Sequence, residues 1–163
     1  MKTKFIRSVL MIIGVVFFSC AEEDEKRVDE VTVQLESPAG FKVADNISGL
    51  YNNLNLNYND EKIVKIEYID SERMNAAIVY YSDINGNIKN TAIVKGEFSY
   101  KSSKVDFFQN QDDPIIVENG YALSCKGCEC TINATYNPNT GVHTFQCSKT
   151  CCVLDVTVVP IGN

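Results

Sequence analysis

Basic residues are scarce in this chain of 163 residues, and some of them are confined to its start. Lys2, Lys4 and Arg7 lie among the first nineteen residues, which contain no acid. Residues 20–163 therefore hold only 12 of the 15 basic residues against all 21 acidic ones, a net charge near −9. Because phosphate contacts require a basic surface, we exclude nucleic acid as a partner.

Residues with catalytic chemistry are also rare. The chain has one histidine, His143, and no motif connects it with a nucleophile or an acid. Glycine-rich phosphate loops, serine elbows and H-E-x-x-H pairs are missing. We therefore expect His143 to pack beside an aromatic side chain, and we expect a non-enzymatic protein without a cofactor.

Apolar runs long enough to span a bilayer are missing as well. The run at residues 9–18 follows the three basic residues and is shorter than the roughly 20 residues that a membrane-spanning helix needs. A basic segment followed by a short apolar run is typical of a secretory signal, which we assign to residues 1–19. No later stretch is similarly apolar, so no other segment is predicted to cross a membrane.

The end of this run, Phe17-Phe18-Ser19-Cys20, resembles the lipobox of bacterial lipoproteins. The resemblance implies that Cys20 becomes the first residue of the mature chain and carries acyl chains such as palmitate. It also implies a protein that is anchored to the membrane of the cell envelope by lipid. The alternative is an ordinary secreted protein in which Cys20 has no such role.

Four adjacent acids, Glu22, Glu23, Asp24 and Glu25, follow Cys20. Their mutual repulsion keeps them solvated, so residues 20–30 are predicted to form a tether. An acidic cluster at this position is similar to the surface-export signal of lipoproteins from the Bacteroidota, which implies the outer face of the outer membrane. A plain acidic linker, leaving the protein on the periplasmic face, is the alternative.

Residues 31–163 are predicted to form one α+β domain, mostly antiparallel sheet with one helix. Apolar and polar residues alternate at 31–36, which predicts a strand, and Ser37 followed by Pro38 predicts the start of a helix. Asparagines at 52–59 end this helix. Its apolar face recurs every three to four residues and consists of Phe41, Ala44, Ile47, Leu50, Tyr51 and Leu54.

A period of two predicts a meander in the next part of the chain, completing a strand-helix-meander unit over residues 31–100. Its strands lie at 62–68, 76–81 and 88–94. Asn85 and Gly86, both expected at positive φ, predict a hairpin there, in preference to the calcium loop that Asp83 and its neighbours faintly resemble. Residues 112–114 predict a break, followed by a short hairpin with strands at 115–117 and 121–124.

Residues 121–159 are predicted to form a β tail rich in cysteine. Its strands at 131–136 and 142–147 flank a four-residue loop, and a last strand follows at 153–159. With that loop length, the opposite pairs are Ile132–Cys147, Ala134–Phe145 and Tyr136–His143. This register turns Cys147 inward, toward Cys125 or Cys128, with Cys130 on the same face.

Six of the seven cysteines fall within 28 residues of this tail. They are Cys125, Cys128, Cys130, Cys147, Cys151 and Cys152. In an exported chain an even number of clustered cysteines predicts three disulfides, each adding about 2–4 kcal/mol of stability. Six cysteines allow fifteen pairings, and the sequence does not choose among them.

Soft-metal binding is the alternative for these cysteines. Cys125 and Cys128 have the C-x-x-C spacing of a zinc knuckle, and Cys151 and Cys152 would supply the other ligands. Metal binding is disfavoured because adjacent residues of a strand point to opposite faces, so the neighbouring Cys151 and Cys152 suit one ion poorly. A redox enzyme is disfavoured because its C-x-x-C motif opens a helix, whereas a strand is predicted after Cys130.

The sequence thus predicts a non-enzymatic protein of the cell envelope, anchored by lipid at Cys20 and exposed at the outer membrane. Its disulfide-bonded β domain is expected to bind or shield a partner that the sequence does not identify. The alternative function is a lipoprotein that binds zinc or copper through the C-terminal cysteines.

Overall fold

The computed structural model describes residues 33–101 and 115–162. The signal segment 1–19, Cys20, the tether 20–30 and the break at 112–114 lie outside the described residues. The described elements are α1 Ile47–Leu54, β1 Lys62–Asp70, β2 Met74–Ser82, β3 Ile88–Lys101, β4 Ile115–Lys126, β5 Ile132–Asn137, β6 Val142–Cys147 and β7 Val153–Val159. The predicted fold class is confirmed: the described residues form a mostly antiparallel sheet with one helix.

One sheet contains all seven strands. Five antiparallel strands are ordered β1-β2-β3-β4-β7. β3 is long enough to extend past β2, and there Phe98–Lys101 pair in parallel with β6. β5 pairs antiparallel with β6, so the β5–β6 hairpin branches from the end of β3.

The sheet has a hydrophobic core on each face, because its central strands are buried on both sides. On the first, here called the helix face, Val79, Ile93 and Ala122 pack with Leu50 and Tyr51 of α1. On the second, the hairpin face, the core contains residues of the sheet and of the β5–β6 hairpin. They include Ala76, Ile78, Ala92, Val94, Leu123, Ile132 and Phe145. The five antiparallel strands β1-β2-β3-β4-β7 are therefore the middle of three layers, between α1 and the β5–β6 hairpin.

The helix begins later than the sequence predicts. Ser37 caps a turn instead: its Oγ accepts the backbone N–H of Phe41 at 3.1 Å and donates to Asp70 Oδ1 at 3.0 Å. Gly40 follows at φ +85°, a conformation that no right-handed helix contains. The helix starts where Asn46 accepts the N–H of Gly49 and ends at Asn55, which is left-handed at φ +52°.

Two strand predictions are also wrong. Of the strand predicted at 31–36, Val31 and Thr32 lie outside the described residues, and the rest makes only an isolated bridge between Glu36 and Lys42. The short hairpin at 115–124 is one continuous strand, β4. Gly120 is the reason: it is not a turn residue but passes closely beside β7, where an added Cβ would overlap Ile161 and the carbonyl oxygen of Val159.

The other hairpins form as predicted. β2 and β3 are joined at Asp83 to Asn87, although only Gly86, at φ +80°, has the positive φ expected of both turn residues. The β5–β6 register is confirmed in full, with Ile132 opposite Cys147 and the four-residue loop between the strands. These local signals succeed because turn chemistry and side-chain alternation fix a hairpin without distant contacts.

Candidate functional site

A polar cleft of about 930 Å³ opens on the helix face, beside the end of α1. Its walls are residues 53–56 after the helix, residues 87–91 of the β2–β3 hairpin and residues 124–131, which leave β4. Asp155 and Thr157 of β7 lie across from the helix end. Three of the six tail cysteines, Cys125, Cys128 and Cys130, therefore lie on the wall of this cleft.

The floor of the polar cleft forms where one face of the sheet changes from apolar to polar. Strand pairing places Thr91, Ser124 and Asp155 in one row across β3, β4 and β7. The next row toward α1 contains the buried Ile93 and Ala122, which belong to the helix-face core. α1 covers the apolar rows and stops before the polar row, in which Thr91 is buried and Ser124 and Asp155 are half-buried.

The basic side chains on the strands that line the cleft are paired with acids. Lys89 Nζ lies 3.3 Å from Asp83 Oδ2, and Lys126 Nζ lies 2.6 Å from Asp155 Oδ2. Such exposed pairs stabilise a fold by less than about 1 kcal/mol. Their consequence is electrostatic, because they cancel charge locally. The charges that line the cleft nearly balance, with three lysines, Lys89, Lys126 and Lys149, against four acids, Glu61, Asp83, Glu129 and Asp155.

Asp83 has a structural task within its turn. Its carboxylate accepts the backbone N–H groups of Asn85 and Asn87, each at 2.9 Å. The Asn87 hydrogen bond is the main reason why the pKa of Asp83 is lowered, so the group stays ionised. These contacts close the β2–β3 hairpin, in agreement with the hairpin interpretation of this loop.

The cysteines form three disulfides, as predicted. The pairs are Cys125–Cys147, Cys128–Cys151 and Cys130–Cys152. Cys147 bonds Cys125, one of the two partners expected from the hairpin register, and links β4 to β6. The other two disulfides connect the β4–β5 loop to the β6–β7 loop. The pairing itself depended on how these loops meet, which no local signal predicts.

The prediction that Cys151 and Cys152 are neighbours on a strand, and so point to opposite faces, is wrong. Both cysteines lie in the loop before β7. The Sγ atoms of Cys128, Cys151 and Cys152 all lie within 4.8 Å of one another. Cys128 Sγ is 2.8 Å from Cys152 Sγ, although each is bonded to another cysteine. Four cysteines from two loops therefore meet at one place.

Gly127, which the C-x-x-C motif contains, and Asn90, which the sequence did not single out, position the β4–β5 loop. Gly127, at φ +120°, packs where an added Cβ would lie 2.9 Å from the carbonyl oxygen of Cys151. Asn90 is buried and holds Ile132 by two hydrogen bonds, accepting its N–H at 2.7 Å and donating to its carbonyl oxygen at 3.1 Å. A polar side chain at an inward-facing position of a strand is the sequence signal from which a structural role for Asn90 could have been predicted.

His143 packs beside an aromatic side chain, as expected. Its ring lies 4.9 Å from that of Tyr136, centroid to centroid. Burial lowers the pKa of His143, and its Nδ1 is buried without a hydrogen-bond partner among the described residues. A smaller cleft next to it is lined by residues 71–73 and Gly141.

In the described part of the chain, no helix has the length and apolar character needed to cross a bilayer. No family model matches this chain, and neither a curated protein nor a solved structure is significantly similar to it.

Proposed function

We propose that this protein is a non-enzymatic binding module of the cell envelope, anchored by lipid at Cys20 and exposed at the outer membrane. The lipobox-like segment before Cys20 and the acids after it support the anchor and the location. The polar cleft supports the binding role, and it is the observation that carries the proposal.

The composition of the polar cleft favours an uncharged ligand that is rich in hydroxyl groups, such as an oligosaccharide. Its lining offers amide and hydroxyl groups from Asn55, Ser124, Thr131, Ser148 and Thr157. Amides and hydroxyls can donate and accept hydrogen bonds, which matches the mixed character of sugar hydroxyls. Three lysines and four acids nearly balance in this lining, which leaves little net charge to attract an ionic ligand.

An array of neutral and anionic oligosaccharides tests this role. We expect the exported protein to bind neutral members, and Thr157→Arg to weaken that binding at least about tenfold, because the new side chain fills and charges the cleft. Val158→Arg is the matched control, since Val158 is the next residue of β7, is 64 % exposed and projects from the other face. Preference for anionic sugars, equal loss in both variants or no binding would contradict the proposal.

Soft-metal binding by the C-terminal cysteines is a second candidate function, and one observation favours it. The Sγ atoms of Cys128, Cys151 and Cys152 are close enough together to serve one ion once they are reduced. Zinc or copper bound to the protein as it is isolated from the cell envelope would support this function. Complete absence of both metals and of free thiols would reject it.

A further inference from the structure

Two loops bring four cysteines together. The β4–β5 loop carries Cys128 and Cys130, and the β6–β7 loop carries Cys151 and Cys152. Both loops are held at their ends by strands of the same sheet, which fixes the loops against each other. Cys125 and Cys147, in contrast, lie at the ends of β4 and β6 and are bonded to each other.

The sulfur positions fit a tetrahedral thiolate site. Zinc binds thiolate sulfur at about 2.3 Å, so the sulfur atoms of a tetrahedral site lie about 3.8 Å apart. Three of the four Sγ atoms already lie within 4.8 Å of one another. Cys130 Sγ is bonded to Cys152 Sγ and thus adjoins this group. Once the two disulfides are reduced, the sulfurs of each pair must separate by roughly 2 Å to reach the spacing of a tetrahedral site. We expect the two loops to allow this movement.

An ion can reach the four cysteines through the polar cleft. Cys128 and Cys130 line the polar cleft, which is open to solvent. Cys151 is exposed, whereas Cys152 is fully buried. The site thus has an accessible side and a buried side, which is the arrangement that lets an ion enter and then be shielded from water.

We propose that reduction of two disulfides converts Cys128, Cys130, Cys151 and Cys152 into a single zinc site that excludes Cys125 and Cys147. The proposal deepens the second candidate function, on which it rests, by naming the ligands and the condition. The four cysteines are here called the four-cysteine cluster.

The chemistry requires a reductant, which we take to be a dithiol. Two dithiol molecules each transfer two electrons and two protons, one to Cys128–Cys151 and one to Cys130–Cys152, and are themselves oxidised to disulfides. The four thiols so formed bind Zn²⁺ as thiolates and release four protons to solvent. A disulfide oxidant reverses the step: two of its molecules each take two electrons from the thiolates and two protons from solvent, the two protein disulfides return and Zn²⁺ is released. Disulfide and metal are thus alternative states of one cluster.

Two double variants separate this site from unspecific binding by six thiols. Cys125→Ser with Cys147→Ser removes the disulfide outside the four-cysteine cluster, and Cys128→Ser with Cys151→Ser removes one within it. Each variant keeps four of the six tail cysteines and two complete disulfides, so the pair is matched. The exported proteins, solubilised in detergent, are reduced without oxygen and titrated with Zn²⁺ against a chromophoric chelator.

We expect the wild type and the Cys125/Cys147 variant to bind one Zn²⁺ each with similar affinity. The Cys128/Cys151 variant should bind at least about 100-fold more weakly, because half of the ligands are lost. Hydrogen exchange in β2 and β3 checks that each reduced protein keeps its sheet. Equal loss in both variants, unchanged affinity of the Cys128/Cys151 variant, no stoichiometric uptake, or a sheet that is lost and not restored by zinc would each overturn the proposal.

The titration and the second candidate function are tested by different measurements. Metal content of protein freshly isolated from the envelope tests whether the cells load the site. The titration after reduction tests which cysteines form it, so the ligand set can hold even where the isolated protein contains no metal.

Discussion

At the scale of single residues, Gly127 controls how the two cysteine-bearing loops approach each other. Its φ of +120° lies outside the conformations that side chains with a Cβ adopt readily. The space is also occupied, because the carbonyl oxygen of Cys151 lies 2.9 Å from where a Cβ would stand. Both the conformation and the close contact therefore require glycine.

We predict that Gly127→Ala lowers the free energy of unfolding by about 3 kcal/mol, from backbone strain and the displaced loop together. Gly141→Ala is the matched control: Gly141 also has positive φ, +70°, but nothing lies within 4 Å of an added Cβ. It should cost about 1 kcal/mol. Urea denaturation measures both, and equal losses would show that the contact with Cys151 has no role.

His143 makes stability depend on pH. Burial lowers its pKa below the 6.5 of an unperturbed imidazole, so the unfolded chain binds a proton more readily than the folded chain. Stability is then full above pH of about 6.5 and decreases as the pH falls through that value. His143→Phe should flatten the urea stability curve between about pH 7 and 5.5. The same slope in variant and wild type would contradict this assignment.

At the scale of elements, local signals predicted the hairpins and missed the long-range arrangements. The four-residue loop that ends at Gly141 determined the β5–β6 register, since a turn and its two strands need no distant partner. Glu118, Asn119 and Gly120 suggested a turn by composition, yet they lie within β4, where its pairing with β3 is irregular between Val94 and Gly96. Gly120 pairs instead with Val159 of β7. Tertiary pairing overrides turn propensity there.

The candidate site could be predicted only in part, again because long-range contacts leave no local signal in the sequence. Disulfides were predicted from the even number of cysteines and the expected export of the chain. Their pairing, and the contact of Cys128 with Cys152, depend on two loops that are distant in sequence. The polar cleft was missed because its floor, including Thr91 and Ser124, is assembled from strands that become neighbours only in the folded sheet. The alternation along a strand indicates which of its faces is apolar, but it does not indicate where the helix that covers this face ends.

Reduction should loosen the elements unequally. The three disulfides close segments with sequence separations of 22, 23 and 22 residues, and each contributes roughly 3 kcal/mol on the loop-entropy model. We expect β5, β6 and the loops that carry the cysteines to lose hydrogen-exchange protection first. β2 and β3 should keep theirs, because both faces of these strands are buried in the sheet cores. Uniform loss of protection would contradict this expectation.

At the scale of the whole molecule, we propose a lipid anchor and a tether that carry a folded binding domain. The described residues bury their own apolar surface in two cores, so we expect folding to be independent of the anchor. We expect membrane attachment to depend on the acyl chains at one position, Cys20.

We predict that Cys20→Ser releases the protein from membranes or blocks its maturation, because no acyl chain can be attached to serine by this route. Fractionation of cells and the size of the product measure the effect. Ala21→Ser is a suitable control, since it changes the adjacent residue and leaves the cysteine. Normal processing with unchanged membrane retention of Cys20→Ser would reject the lipoprotein assignment.

The intact mass of the exported protein, with and without reductant, tests the central claim most directly. The account predicts a chain that begins at Cys20, a mass increment from acyl chains, no free thiol after denaturation, and a gain of about six protons on reduction, two for each disulfide. A chain without lipid, or four or more free thiols in the freshly exported protein, would contradict it.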